Sequence, residues 1–215
     1  FKNRILYPYN GTILHTEGNY FQPDANNNGE IEESEALQVG HIDIDPPSIN
    51  NLFTSFEGKE YFTNLTYFKC GINTAATADF SSLVNLETLS LFTPNITTIN
   101  FSENLKFLTF YGSQIPWSDV NTLANLVHLS LSNNQLTSID ISGLTNLEYL
   151  SVYDNNLTTL DLAQHASLKY LHCGYNQLTS LILPEQNQLI ELTCENNLLQ
   201  SLDVANSLNL TNLNC

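Results

Sequence analysis

The chain has 215 residues, 22 acidic against six basic side chains, and a formal net charge of -16. That balance excludes the basic footprint of a nucleic-acid binder and electrostatic adhesion to anionic membranes. No apolar run approaches the roughly 20 residues that a spanning helix needs. With no signal peptide at Phe1, the chain is expected either to be intracellular or to follow a leader that lies upstream.

Residues 1–38 read as an N-terminal cap built around one motif. Asp24-Ala-Asn26-Asn-Asn28-Gly29-Glu30-Ile31-Glu32-Glu-Ser-Glu35 matches a twelve-position calcium loop, D-x-[DN]-x-[DN]-G with Glu at the end. Asp24, Asn26 and Asn28 offer side-chain oxygens at alternate positions, and Gly29 permits the sharp turn. Glu30 would give its carbonyl, Glu32 would bind directly or through water, and Glu35 would close the site with both oxygens. An acidic surface turn rich in Asn and Gly is the competing reading. Pro23 disfavours an incoming helix, whereas Glu33 to Leu37 can form an outgoing one. Asn in place of Asp at two positions lowers the site's charge, so the expectation is a weak, structural calcium ion.

From residue 39 onward the chain repeats. The template is L-x-x-L-x-L-x-x-N-x-L-x-x-L-x-L, and Leu126, Leu147, Leu168, Leu189 and Leu210 start successive units 21 residues apart. Weaker units start at Val39, Leu65, Leu86 and Leu105, giving about eight units and a truncated one over 39–215. A fixed period of this size signals a stacked solenoid. Positions three to seven of each unit are expected to form a strand, with neighbouring strands parallel and about 4.8 Å apart. Positions four and six then face the core and positions three, five and seven face out. Asn134, Asn155, Asn176 and Asn197 occupy the ninth position, where a buried amide can satisfy the neighbouring turn's backbone. Because the last unit stops at Cys215 without a polar cap, the parent protein is expected to continue.

Cys70, Cys173, Cys194 and Cys215 all fall at the core-facing sixth position, so they are expected to be reduced, buried thiols. The Asn-Leu-Thr and Asn-Ile-Thr sequons arise from the repeat itself and carry little weight. The outward positions are more informative. Tyr67, Phe107, His128, Tyr149 and Tyr170 stand at position three, and Phe92, Tyr111 and Tyr153 at position seven. His172 lies at position five, and Tyr175 extends the patch by one place. Aligned aromatics with polar tips are typical of recognition surfaces, although they also stabilise a sheet by stacking. Ser151, His172 and Asp154 can be drawn as a catalytic group, but no nucleophile elbow or oxyanion hole accompanies them.

The 21-residue unit, best matched at Leu147 to Ser167, resembles the leucine-rich repeats of secreted and surface proteins of Bacteroidetes, notably flavobacteria. The opening Phe1 to Leu6, the Asp24 to Ala36 stretch and Phe62 to Thr66 look like the module that commonly precedes those repeats. The resemblance implies export and a large multidomain parent. The resulting expectation is an α/β-type leucine-rich-repeat solenoid with one parallel sheet, few helices and a calcium-loop cap. It would be a monomeric, non-catalytic module that binds a protein or polysaccharide and neither nucleic acid nor the membrane interior. A passive spacer within a larger surface protein or secreted enzyme is the alternative.

Overall fold

A computed structural model describes residues 13–14, 31–44, 55–72, 74–112 and 117–215; of 13–14, 72 and 117–119 only the backbone is considered. The chain divides into two units, residues 1–105 and 106–215.

In the first unit, β1 (Ile13–Leu14) lies antiparallel to β2 (His41–Ile44). Parallel pairing then runs from β2 to β3 (Tyr67–Ile72) and on to β5 (Thr88–Phe92). A second, two-stranded parallel sheet joins β4 (Thr77–Asp79) to β6 (Thr98–Asn100). Before β2, the short helix α1 (Glu33–Ala36) occupies the place expected for the outgoing helix. Its first turn is closed by a capping box between Glu32 and Glu35, in which Glu35 Oε2 accepts the Glu32 N–H at 3.0 Å. Phe56, Phe68 and Phe80 pack ring on ring at 5.3–5.8 Å and fill this unit's core.

The second unit is the regular part. Its main sheet is parallel, in the order β7 (Phe107–Tyr111), β8 (His128–Ser130), β9 (Tyr149–Ser151), β11 (Tyr170–His172), β13 (Glu191–Thr193) and β14 (Asn212–Asn214). Partners differ by 21 residues, as in His128↔Tyr149 and Tyr149↔Tyr170. Across the far side, β10 (Thr159–Asp161) pairs in parallel with β12 (Ser180–Ile182). Each unit is thus a parallel-sheet solenoid with few helices among the described residues.

Every strand of the main sheets from β2 onward begins at the third position of its repeat, as the periodicity requires. β5 and β7 run from position three to position seven as expected, whereas β8, β9, β11 and β13 stop at position five, because position eight turns sharply. Asn133, Asp154, Tyr175 and Asn196 all have φ between 54° and 56°. Hydrogen bonding continues past the strand ends, with Leu131, Val152, Cys173 and Cys194 each donating to the next turn at 2.7–2.8 Å. The two far-side sheets were not foreseen. Each of their four three-residue strands holds only its middle residue inward (Ala78, Ile99, Leu160 and Leu181), too little alternation to announce a strand.

The core follows the period. Leu129, Leu150, Leu171 and Leu192 at position four are fully buried, as are Leu131, Val152 and Cys173 at position six. The Asn ladder is also present. Asn155 donates from Nδ2 to the carbonyls of Leu131, Val152 and Tyr153 and accepts the Leu136 N–H at 3.0 Å. Asn176 repeats these bonds one turn later. One expectation is corrected. Cys70, Cys173 and Cys194 are buried free thiols, but Cys215, which follows the edge strand β14, is exposed.

Candidate functional site

Parallel pairing without register shift lines up position three of successive turns in the second unit. His128 stacks flat on Tyr149, with centroids 4.0 Å apart and planes 5° from parallel. Phe107 meets His128 at 6.1 Å, and Tyr149 meets Tyr170 at 6.4 Å, both tilted. His172, from position five, packs against Tyr149 at 5.4 Å. Phe107 and Tyr170 remain 44% and 38% exposed, so the row ends in accessible rings. Burial holds the His128 imidazole below its usual value, which leaves it neutral near pH 7. Burial likewise raises Tyr149, so its hydroxyl stays protonated and available to donate. Tyr111 is half-buried and close enough to Tyr149 to influence its ionisation.

A second cluster lies at positions seven and eight. Tyr153 and Tyr175 sit with ring centroids 5.0 Å apart, tilted by 51°. Tyr175 holds a left-handed backbone (φ 54°) at the position where the other turns carry Asn or Asp. Those residues tolerate that conformation, whereas a tyrosine there costs about 1 kcal/mol. Between Tyr153 and Glu195 in the position-seven row stands Gly174, and the Glu195 carboxylate occupies the space a side chain would need: Oε1 lies 2.6 Å from where a Cβ would be. Glu195 Oε2 is buried without a hydrogen-bond partner.

The expected binding residues therefore fall into groups. Phe107, His128, Tyr149, Tyr170 and His172 form one contiguous row, and Tyr153 with Tyr175 a neighbouring pair. Tyr67 and Phe92 belong to the first unit, where Tyr67 stacks on His41 at 3.8 Å and Phe92 is 37% exposed. The Ser–His–Asp grouping is not assembled. The Ser151 hydroxyl bonds Ser132 Oγ at 2.6 Å, while His172 Nδ1 meets Thr193 Oγ1 at 3.1 Å and Nε2 lies 3.7 Å from Glu191. Of the calcium motif, Asp24, Asn26, Asn28 and Glu30 lie outside the described residues. Glu32 and Glu35 are the N-cap and first-turn residues of α1, and the Glu35 side chain is buried. Among the described residues no cluster of three His, Cys, Asp or Glu side chains could hold a metal, and no helix is long and apolar enough to cross a membrane. Gly174, Glu191 and Glu195 stand on the same face but were not among the expected binding residues. Their signal was their place in the same outward rows as the tyrosines.

Comparison with known proteins agrees with this architecture. The family described as leucine-rich repeats (two copies) matches residues 124–164. Internalin C2 of Listeria monocytogenes is similar in structure, with a TM-score of 0.59 and 25% identity over 86% of this chain and 82% of that one. A leucine-rich-repeat protein of Leptospira interrogans gives a TM-score of 0.57 at 21% identity, covering 85% of this chain and 56% of that protein. An internalin, InlF, of L. monocytogenes gives 0.56 at 14% identity, covering 84% and 62%. The chain thus spans little more than half of the Leptospira protein. No curated protein sequence matches it. The fold is thus a parallel-sheet solenoid like those of leucine-rich-repeat structures, and residues 124–164 match that repeat family.

Proposed function

We propose that the chain is a non-catalytic binding module of an exported bacterial protein, which holds a protein or glycan partner on the strand face of its second unit. The observation that carries this is the row Phe107–His128–Tyr149–Tyr170, four rings in register on adjacent parallel strands with exposed members at both ends. Leucine-rich repeats commonly bind through such extended faces, and an exposed aromatic patch offers large contact area at low conformational cost. The resemblance to surface proteins of Bacteroidetes supports export. Calcium would be bound by Asp24, Asn26, Asn28, Glu30, Glu32 and Glu35, ordering the N-terminal cap. The fit rests on α1 beginning at Glu33, which places Glu35 in its first turn with a buried carboxylate.

The flat His128–Tyr149 stack favours a second reading, in which the row stabilises the sheet and the module is a spacer. A binding screen against polysaccharides and cell-surface proteins, run with and without calcium, separates the two. Saturable binding that disappears in Tyr149→Ala/Tyr170→Ala supports the module. Silence across the panel from folded protein supports the spacer.

A further inference from the structure

We propose that Tyr153, Tyr175 and Glu195 form a receptor for a lysine ammonium group presented by a basic partner protein. This rests on the binding-module reading and names the chemistry of one contact within it.

Four observations converge on these side chains. Two tyrosine rings 5.0 Å apart and inclined at 51° offer the faces that attract an organic cation. Gly174 leaves a notch in the position-seven row between Tyr153 and Glu195, and the Glu195 carboxylate lies in it. A side chain at 174 would expel that carboxylate, so glycine is what allows it to lie there. Glu195 Oε2 is buried with no donor, and a buried carboxylate oxygen of that kind is stabilised by a charged donor more than by a neutral one. Finally, Tyr175 keeps a large ring on a strained backbone where the neighbouring turns carry Asn or Asp. Folding alone does not call for a tyrosine there, whereas the cage does.

Charge decides between an ammonium group and a neutral saccharide. The second unit contains two lysines, Lys106 and Lys169, and no arginine. Lys169 is paired with Glu148 at 2.8 Å. Burial, and after it the neighbouring Tyr175, Glu195 and Asp154, raise the Tyr153 hydroxyl above its usual value, so it stays protonated. The site is therefore an acidic, aromatic notch in an acidic protein, and a cation brings what it lacks. On binding, the ammonium sits against the two rings and the Glu195 carboxylate turns from the Gly174 notch to accept its N–H. No bond is made or broken.

The test is a titration of the folded protein with Nα-acetyl-lysine-N-methylamide, followed by the NMR signals of the Tyr153 and Tyr175 rings. The norleucine analogue and a neutral oligosaccharide serve as controls. The expected result is saturable shifts with the lysine probe, none with norleucine, and affinity about tenfold weaker in Glu195→Gln and in Tyr175→Asn, a loss equivalent to ~1.4 kcal/mol. Tyr175→Asn restores the residue type that neighbouring turns already carry, so it keeps the fold. The proposal is overturned by absence of saturable shifts, by equal affinity in Glu195→Gln, or by shifts with the oligosaccharide and not the lysine probe. A partner recovered in the binding screen whose affinity survives both substitutions would uphold the module and remove the cage. A silent screen beside a positive titration would do the reverse.

Discussion

Replacing Asn155 by alanine tests the repeat's internal wiring. The side chain is 7% exposed and makes four hydrogen bonds. Two of the carbonyls it serves have a second donor: Leu131 O also accepts from Asn134 and Val152 O from Asn176, at 2.7 and 2.9 Å. Their loss is partial. The Leu136 N–H has Asn155 Oδ1 as its acceptor at 3.0 Å, beside a residue that is itself buried, so the substitution strands a buried donor. Such a group costs about 1–3 kcal/mol, and the weakened carbonyl bonds add about 0.5–1 kcal/mol more. The expected destabilisation is therefore about 1.5–4 kcal/mol, read from urea unfolding followed by circular dichroism. Asn155→Asp should cost at least as much. It keeps an acceptor for Leu136 but sets a carboxylate against three carbonyl oxygens. A change below about 0.5 kcal/mol in both variants, the level of an ordinary surface substitution, would show that no buried donor is stranded. Asn197 makes the same pattern of bonds but is only half-buried, so Asn197→Ala should cost less.

Three further outcomes are expected. Burial lowers the ionisation of both His41 and His128, so between the folded and unfolded values the unfolded chain holds more protons. Stability is therefore full above the ordinary histidine range near pH 6.5 and falls as pH drops through it; His128→Gln should flatten that slope, measured by thermal unfolding from neutral to mildly acidic pH. Gly143→Ala would drive its Cβ onto the Asn121 carbonyl oxygen, a backbone atom that cannot swing away, and should cost about 1–3 kcal/mol in the same urea assay. If calcium binds the N-terminal loop, a hundredfold excess over its dissociation constant should stabilise the fold by about 2.7 kcal/mol. Asp24→Ala should abolish that gain in thermal melts run in calcium and in chelator, and identical wild-type curves in both would remove calcium.

The period alone placed each main-sheet strand at its third position, the buried leucines at positions four and six, and the Asn ladder at position nine, because each follows from a strand's alternation and a fixed repeat. What it did not reveal depended on contacts between turns. The length of β8, β9, β11 and β13 was overstated, while β5 and β7 reach position seven, since nothing in Asn133 or Asp154 by itself declares a left-handed turn. Tyr175 at that same position carried the clue: a tyrosine among Asn and Asp residues is out of place unless it has work on the surface. The Tyr153–Gly174–Glu195 row was visible as spacing but not as a notch, because that requires knowing that the carboxylate folds over the glycine.

The central claim is that the aromatic row serves recognition more than stability. An alanine scan of Phe107, His128, Tyr149 and Tyr170, with affinity for a partner from the screen and unfolding free energy measured on the same samples, tests it most directly. Tyr149→Ala or Tyr170→Ala should lower affinity at least tenfold, the scale of an interface hot spot, with stability changed by no more than the ~1 kcal/mol of a cross-strand pair. Unchanged affinity, with the loss appearing only in stability, would contradict it.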